Sequence, residues 1–144
     1  MNVTMSKKQE MKVEIWSDIM CPFCYIGKRR FENALKDFPH SSEIEIEWKS
    51  FLLNPSIRPD PGKNINQYLS ETKGWSFEQA KQANDYVTKM AKEVGLDFDF
   101  KKAVVANTFD AHRLIQLAKA NNKSEETEER LFRAQKQTWK RLLM

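Results

Sequence analysis

The sequence predicts an α/β chain: a β-α-β unit followed by a mostly helical segment. Three observations predict it. Two short runs of alternating apolar and polar residues flank one stretch of helical periodicity, a Pro-rich break follows, and helix-cap signals mark the remainder. Residues 12–17, Lys-Val-Glu-Ile-Trp-Ser, alternate and carry β-branched residues, which predicts a strand. From Pro22 the apolar positions Phe23, Ile26, Phe31, Ala34, Leu35 and Phe38 form a helical stripe, with Lys28, Arg29 and Arg30 mainly on the opposite, solvated side. Pro39 and His40 end that helix. Residues 43–49 alternate again, with Ile44, Ile46 and Trp48 on one face and Glu43, Glu45 and Glu47 on the other. A strand–helix–strand crossover of this kind is expected to be right-handed, with parallel strands.

After residue 54 the character changes. Pro55, Pro59, Pro61 and Gly62 mark a loop, and everything downstream reads as helical. Ser76-Phe77-Glu78-Gln79 matches a capping box, predicting a helix to about Val94 that Gly95 stops. Asn107 or Thr108 can cap a helix through about Ala120, with Leu114, Leu117 and Ala118 on its apolar side. A last helix begins near Ser124, with Glu125, Glu126, Glu128 and Glu129 in its first turns, where the helix dipole favours acids. These boundaries divide the chain into segments 11–54 and 62–144.

Composition narrows the function classes. The 144 residues are 40% hydrophobic and 31% charged, which excludes disordered and fibrous classes. A net charge of +4, with acids and bases intermixed, does not argue for nucleic acid. No apolar run approaches the roughly 20 residues that span a bilayer. The first twelve residues carry no apolar segment of the signal-peptide kind, so the expected location is cytoplasmic.

The two cysteines, Cys21 and Cys24, are the most informative residues. Cys21 falls where a strand gives way to a helix, with Pro22 at the first helical position, which proline suits because its missing N–H has no partner there. Orphan amides and the helix dipole at that place stabilise a thiolate and lower the thiol pKa. Cys24 lies nearly one turn on, on the same face, and Gly27 leaves room beside it. The spacing fits a pair in which Cys21 attacks a disulfide and Cys24 resolves the mixed disulfide. Zinc would need a second ligand pair, and His40 and His112 are far apart in sequence. The expectation is a redox dithiol with no metal.

The run from Trp16 to Arg29, Trp-Ser-Asp-Ile-Met-Cys-Pro-Phe-Cys-Tyr-Ile-Gly-Lys-Arg, resembles the active-site segment of the DsbA-like, FrnE-type thioredoxin-fold oxidoreductases. Leu53-Asn54-Pro55 and the stretch from Asn107 to Leu114 resemble further signatures of that family. The resemblance covers about residues 11–133. It implies a thioredoxin-like fold with a helical insertion, and thiol–disulfide exchange with protein or small-molecule disulfides, without a bound cofactor and with glutathione as a candidate co-substrate. The family also includes isomerases resembling 2-hydroxychromene-2-carboxylate isomerase, which typically carry Ser where this chain has Cys21. Phe23 in the spacer cannot hydrogen-bond a thiolate as the histidine of DsbA's own spacer does, so a weaker oxidant is expected.

Where the family returns from its insertion with a ββα half and a cis-proline, this sequence has its last proline at Pro61, and the family-like pattern stops after Ala134. The expected fold is therefore partial, lacking the ββα half. Its narrow sheet would have exposed edges and would be marginally stable or would self-associate. Pro22, Phe23 and Asp18 are candidate supports of the active site, Asp18 either as a proton relay or as an acidic turn residue. Asn107, His112 and Arg113 are candidates for contacting substrate or glutathione, with capping the competing role for Asn107. Lys28, Arg29 and Arg30 read as a solvated face, and Trp139, Leu142 and Leu143 as a docking tail or a frayed end. No nucleic-acid or membrane partner is expected. The alternatives are a glutathione-dependent isomerase or a non-catalytic interaction module.

Overall fold

The computed structural model describes residues 11–136. Strand β1 (Met11–Ser17) leads through a turn into α1 (Pro22–Asp37), and a 3-10 turn at Ser41–Glu43 precedes β2 (Ile44–Ser50). β1 and β2 pair in parallel, from Met11 opposite Ile44 to Ser17 opposite Ser50, as the crossover predicts. Then come β3 (Asp60–Asn64), α2 (Ile65–Lys73), α3 (Phe77–Glu93), β4 (Val104–Val105), α4 (Phe109–Lys119) and α5 (Ser124–Lys136). The mixed α/β class is thus as expected. Trp139, Leu142 and Leu143 lie outside the described residues.

Local signals account for most element ends. The Ser76–Gln79 capping box is formed in both directions, and Gly95 sits at φ 77°, a left-handed conformation that glycine adopts without a Cβ penalty. A second capping box, Asn64 with Gln67, starts α2. Two short strands stand in stretches expected to be loop and helix: β3 and β4 pair antiparallel around an irregularity between Asp60 and Asn64. Their pairing joins segments forty residues apart, which neither run announces locally.

The core lies between helices. Tyr25 and Ile26 of α1, Val87 and Ala91 of α3, Ile115 of α4 and Phe132 of α5 are buried together with Ile19, Leu96 and Phe98. Tyr25 stacks on Phe132 with ring centroids 4.7 Å apart and on Phe98 at 5.9 Å. The Tyr25 hydroxyl donates to Glu129 at 2.6 Å, and Arg29 also binds Glu129, so α5 is tied to α1 by rings and charge together.

Two expectations need correction here. Lys28 and Arg29 do not form a solvated face. Lys28 is only 3% exposed, pairs with Glu32 and lies 5.2 Å from the Trp48 ring centroid, while Arg29 is occupied by Glu129. The arrival of α5 and β2 against this side of α1 buries it. On α4, Leu114 and Leu117 are exposed, and the inward positions are His112 and Ile115. That helix turns a polar residue inward because Asp18 waits there. Its outer side reaches β2 through Lys119 to Glu47 (2.8 Å) and Gln116 to Ser50 (2.8 Å).

Candidate active site

The site begins with the backbone. Cys21 is the N-cap of α1, in extended conformation (φ −83°, ψ 115°), and Pro22 follows as the first helical residue. The Cys21 amide donates to the Asp18 carbonyl at 3.0 Å, and the Cys24 amide to the Cys21 carbonyl at 3.2 Å. This turn brings Cys21 and Cys24 to 3.5 Å from each other. Both are half-buried, and Cys24 packs against the helical core. Gly27 is not needed for space, since a Cβ there would meet nothing within 4 Å.

Asp18 anchors the arrangement. Its carboxylate, 1% exposed, accepts from the Met20 amide (3.2 Å), the Leu53 amide (2.8 Å), the Thr108 hydroxyl (2.7 Å) and His112 Nε2 (3.1 Å). Four donors converge from the turn before Cys21, the segment after β2, and the start of α4. Burial works to raise the Asp18 carboxyl pKa, but the bonds from His112, Leu53, Thr108 and Met20 outweigh it and hold it below the usual carboxylate range. Asp18 is therefore a structural clamp carrying a fixed negative charge under the cysteines. Thr108 escaped sequence reasoning in this role. Its spacing of four from His112, which puts both on one helical face, was the available signal.

The cysteines ionise as a pair. The Cys21 thiol donates to the Cys24 sulfur, an interaction that outweighs burial and takes Cys24 down to about 6, with the Asp18 amide adding to it. The same contact, then burial, pushes the Cys21 thiol up, against the opposing pull of the Cys24 and Phe23 amides at the helix mouth. The first proton thus leaves well below the ordinary thiol range, and the second is held above it. This corrects the expectation of an anion confined to Cys21. With the sulfurs this close, one negative charge is shared, stabilised by the helix amides at Cys21.

The other expected residues fall in different places. His112 is buried beneath Asp18, and its Nδ1 has no hydrogen-bond partner among the described residues. Asn107 is engaged within the chain. Its amide donates to the Pro55 and Ile57 carbonyls (3.2 and 3.0 Å), and its oxygen accepts from the Phe109 amide, so it clips the Pro-rich segment to the start of α4. Arg113 turns outward, 72% exposed, and pairs with Asp110 at 3.2 Å, outside the Asp18–His112 cluster. Phe23 is exposed beside the cysteines. His40 pairs with Glu43 at the surface. Among the described residues, no three His, Cys, Asp or Glu side chains are placed to hold a metal ion.

Next to Cys24 the surface is concave and apolar. One open hollow of about 530 Å³ is lined by Trp16, Asp18, Cys24, Phe51 and Leu53. A second, of about 400 Å³, runs along β1 and α1 past Ile15, Phe23, Phe31 and Trp48. They meet at Trp16 and Cys24. No described helix is long and apolar enough to cross a membrane.

Comparison with known proteins agrees with this geometry. The model of the DSBA-like thioredoxin domain matches residues 12–140. The protein YwbO of Bacillus subtilis is 31% identical over 129 residues, which are 85% of this chain and 54% of that protein. The crystal structure of the probable DsbA oxidoreductase SCO1869 from Streptomyces coelicolor superposes with a TM-score of 0.85 at 37% identity, over 92% of this chain and 56% of that one. The chain thus spans about half the length of these relatives. With the strand–turn–helix cysteine pair, the parallel β-α-β unit and the helical layer over it, the chain belongs to the DSBA-like thioredoxin-domain family.

Proposed function

We propose that the protein is a thiol–disulfide oxidoreductase using Cys21 and Cys24 as its redox pair. The observation that carries this is the placement of two sulfurs 3.5 Å apart at the amide-rich start of α1. In the forward direction the shared proton passes to Cys24, and the Cys21 thiolate attacks one sulfur of a substrate disulfide, breaking that bond and expelling a substrate thiolate. The Cys24 sulfur, losing its proton, then attacks Cys21 in the mixed disulfide and expels the second thiolate. Two electrons pass from the cysteine pair to the substrate, which leaves as two thiols. The apolar hollows beside Cys24 suit an extended polypeptide disulfide, and a glutathione disulfide is a smaller alternative. Asp18 and Pro22 hold the turn. A cytoplasmic setting and self-association through the strand edge of the narrow sheet belong to the same proposal.

Insulin-type disulfide reduction tests it. Cys21→Ser should fall to the uncatalysed background, and Cys24→Ser should accumulate mixed disulfide through Cys21. Isomerase turnover with glutathione that survives Cys24→Ser would instead favour the isomerase branch of the family. Absence of exchange together with a defined complex would favour an interaction module.

A further inference from the structure

We propose that Glu128 of α5 is a positioning residue of the dithiol: it carries the negative charge when the cysteines form a disulfide and takes up a proton when they are reduced. This deepens the thiol–disulfide reading and rests on it.

Three acids stand around α1 at the core, and they differ in how they are paired. Asp18 has four donors, so it stays an anion throughout. Glu129 is tied to Arg29 and to the Tyr25 hydroxyl. Glu128 is 4% exposed, and its Oε2 has no hydrogen-bond partner among the described residues. A buried carboxylate without donors is costly, so this one changes protonation most readily.

Placement links it to the sulfurs. Tyr25 of α1 stacks on Phe132 of α5 at 4.7 Å, and Glu128 lies one turn before Phe132 on α5. Cys24 and Lys28, one turn apart on α1, and His112 of α4 are within electrostatic reach of it. The groups acting on Glu128 are Lys28 and His112, which favour its anion, and Cys24 and Glu125, which oppose it; burial is the strongest influence and holds its carboxyl at about 7. His112 in turn donates to Asp18 and leaves its own Nδ1 unpartnered in the same interior.

The balance closes without another reactant. The reduced state holds one thiolate, one thiol and a neutral Glu128. After reaction with a substrate disulfide it holds the Cys21–Cys24 disulfide and a Glu128 carboxylate, and two substrate thiols have left. The two protons come from Cys24 and Glu128, and the single negative charge has moved from sulfur to carboxylate. Coulomb repulsion between Cys24 and Glu128 drives that exchange, because two anions in this interior are disfavoured.

The test is the pH profile of iodoacetamide alkylation of the reduced full chain, wild type against Glu128→Gln. Below about pH 5, where the side chain at position 128 is uncharged in both, the profiles should coincide. Above that, the Gln variant should rise to its plateau in a single step ahead of the wild type, since no carboxylate competes with the thiolate, and it should lose the second inflection of the wild type. Early thiol titration with superimposed profiles would overturn this proposal alone. Both sulfurs titrating like free cysteine in the wild type would overturn the dithiol reading and this proposal with it. A second measurement needs no variant: the carboxyl carbon of Glu128, followed by NMR in wild-type protein, should titrate at lower pH in the disulfide form than in the dithiol form. Equal midpoints would contradict it.

Discussion

Between α1 and α5, Tyr25 and Phe132 are fully buried and stacked, whereas on the sheet side Trp16, Phe51 and Leu53 stand 56%, 48% and 54% exposed. Of the strand residues in β1 and β2, Ser17 alone is buried. The helices supply one continuous core; the two-stranded sheet is a thin wall with charged pairs such as Lys12–Glu47 and Lys49–Glu14 along it. Such exposed pairs contribute little to stability. The comparison teaches where each task sits. Stability is concentrated in the helical layer, and the apolar side at Trp16, Phe51 and Leu53 stands open. Cys24 leans on the core while Cys21 caps the helix at the open end, so the two sulfurs stand on the seam.

The largest effect expected is on the core. Phe132→Ala should cost about 3–5 kcal/mol in urea unfolding, as loss of a buried ring does. Leu53→Ala, on the open side, should stay within about 0.5 kcal/mol while weakening substrate use. Comparable losses at the two sites would break the contrast.

Glu128 sharpens it through pH. Its carboxyl is raised from 4.5 to about 7 by burial, so the folded chain binds an extra proton across that window. Stability from this group therefore falls as pH rises from about 4.5 to 7 and levels off above. Glu128→Gln should gain up to about 3 kcal/mol over wild type at pH 8 and nothing at pH 4, read as unfolding midpoints. A pH-independent difference would mean that the carboxyl's charge is not what the interior resists.

These residues also mark how far the sequence could be read. The cysteine pair, Pro22 at the start of α1, both long strands and the Ser76 cap are local features, and each is where the pattern put it. What escaped depends on partners distant in sequence. Lys28 looked solvated until α5 and β2 closed over it, and Glu128 looked like one more acid suited to a helix start until that turn packed against α1. Leu114 and Leu117 misled about α4, because an apolar residue at the surface carries little penalty, while His112 is drawn inward by Asp18. The Asn64–Gln67 cap of α2 is also a local signal, but it directly follows a proline-rich stretch whose own pattern is that of a loop.

The smallest effect concerns the seam. Phe23 is exposed and offers the Cys21 sulfur no hydrogen bond, so Phe23→His should make the pair more oxidising, at about 30 mV per tenfold change in the exchange constant. The fold should be unaffected, because the position lies outside the core. A glutathione redox equilibrium reads this, and an unchanged potential would show that the spacer side chain does not reach the thiolate.

The most direct measurement is thiolate absorbance of the reduced protein across pH, with Cys21→Ser and Cys24→Ser alongside. In the wild type one thiolate should appear with a midpoint near 6 and the second only far above the ordinary range, and each single variant should lose the early step. Two thiolates rising together near about 8.5, as free cysteines do, would contradict a proton shared at the start of the first helix.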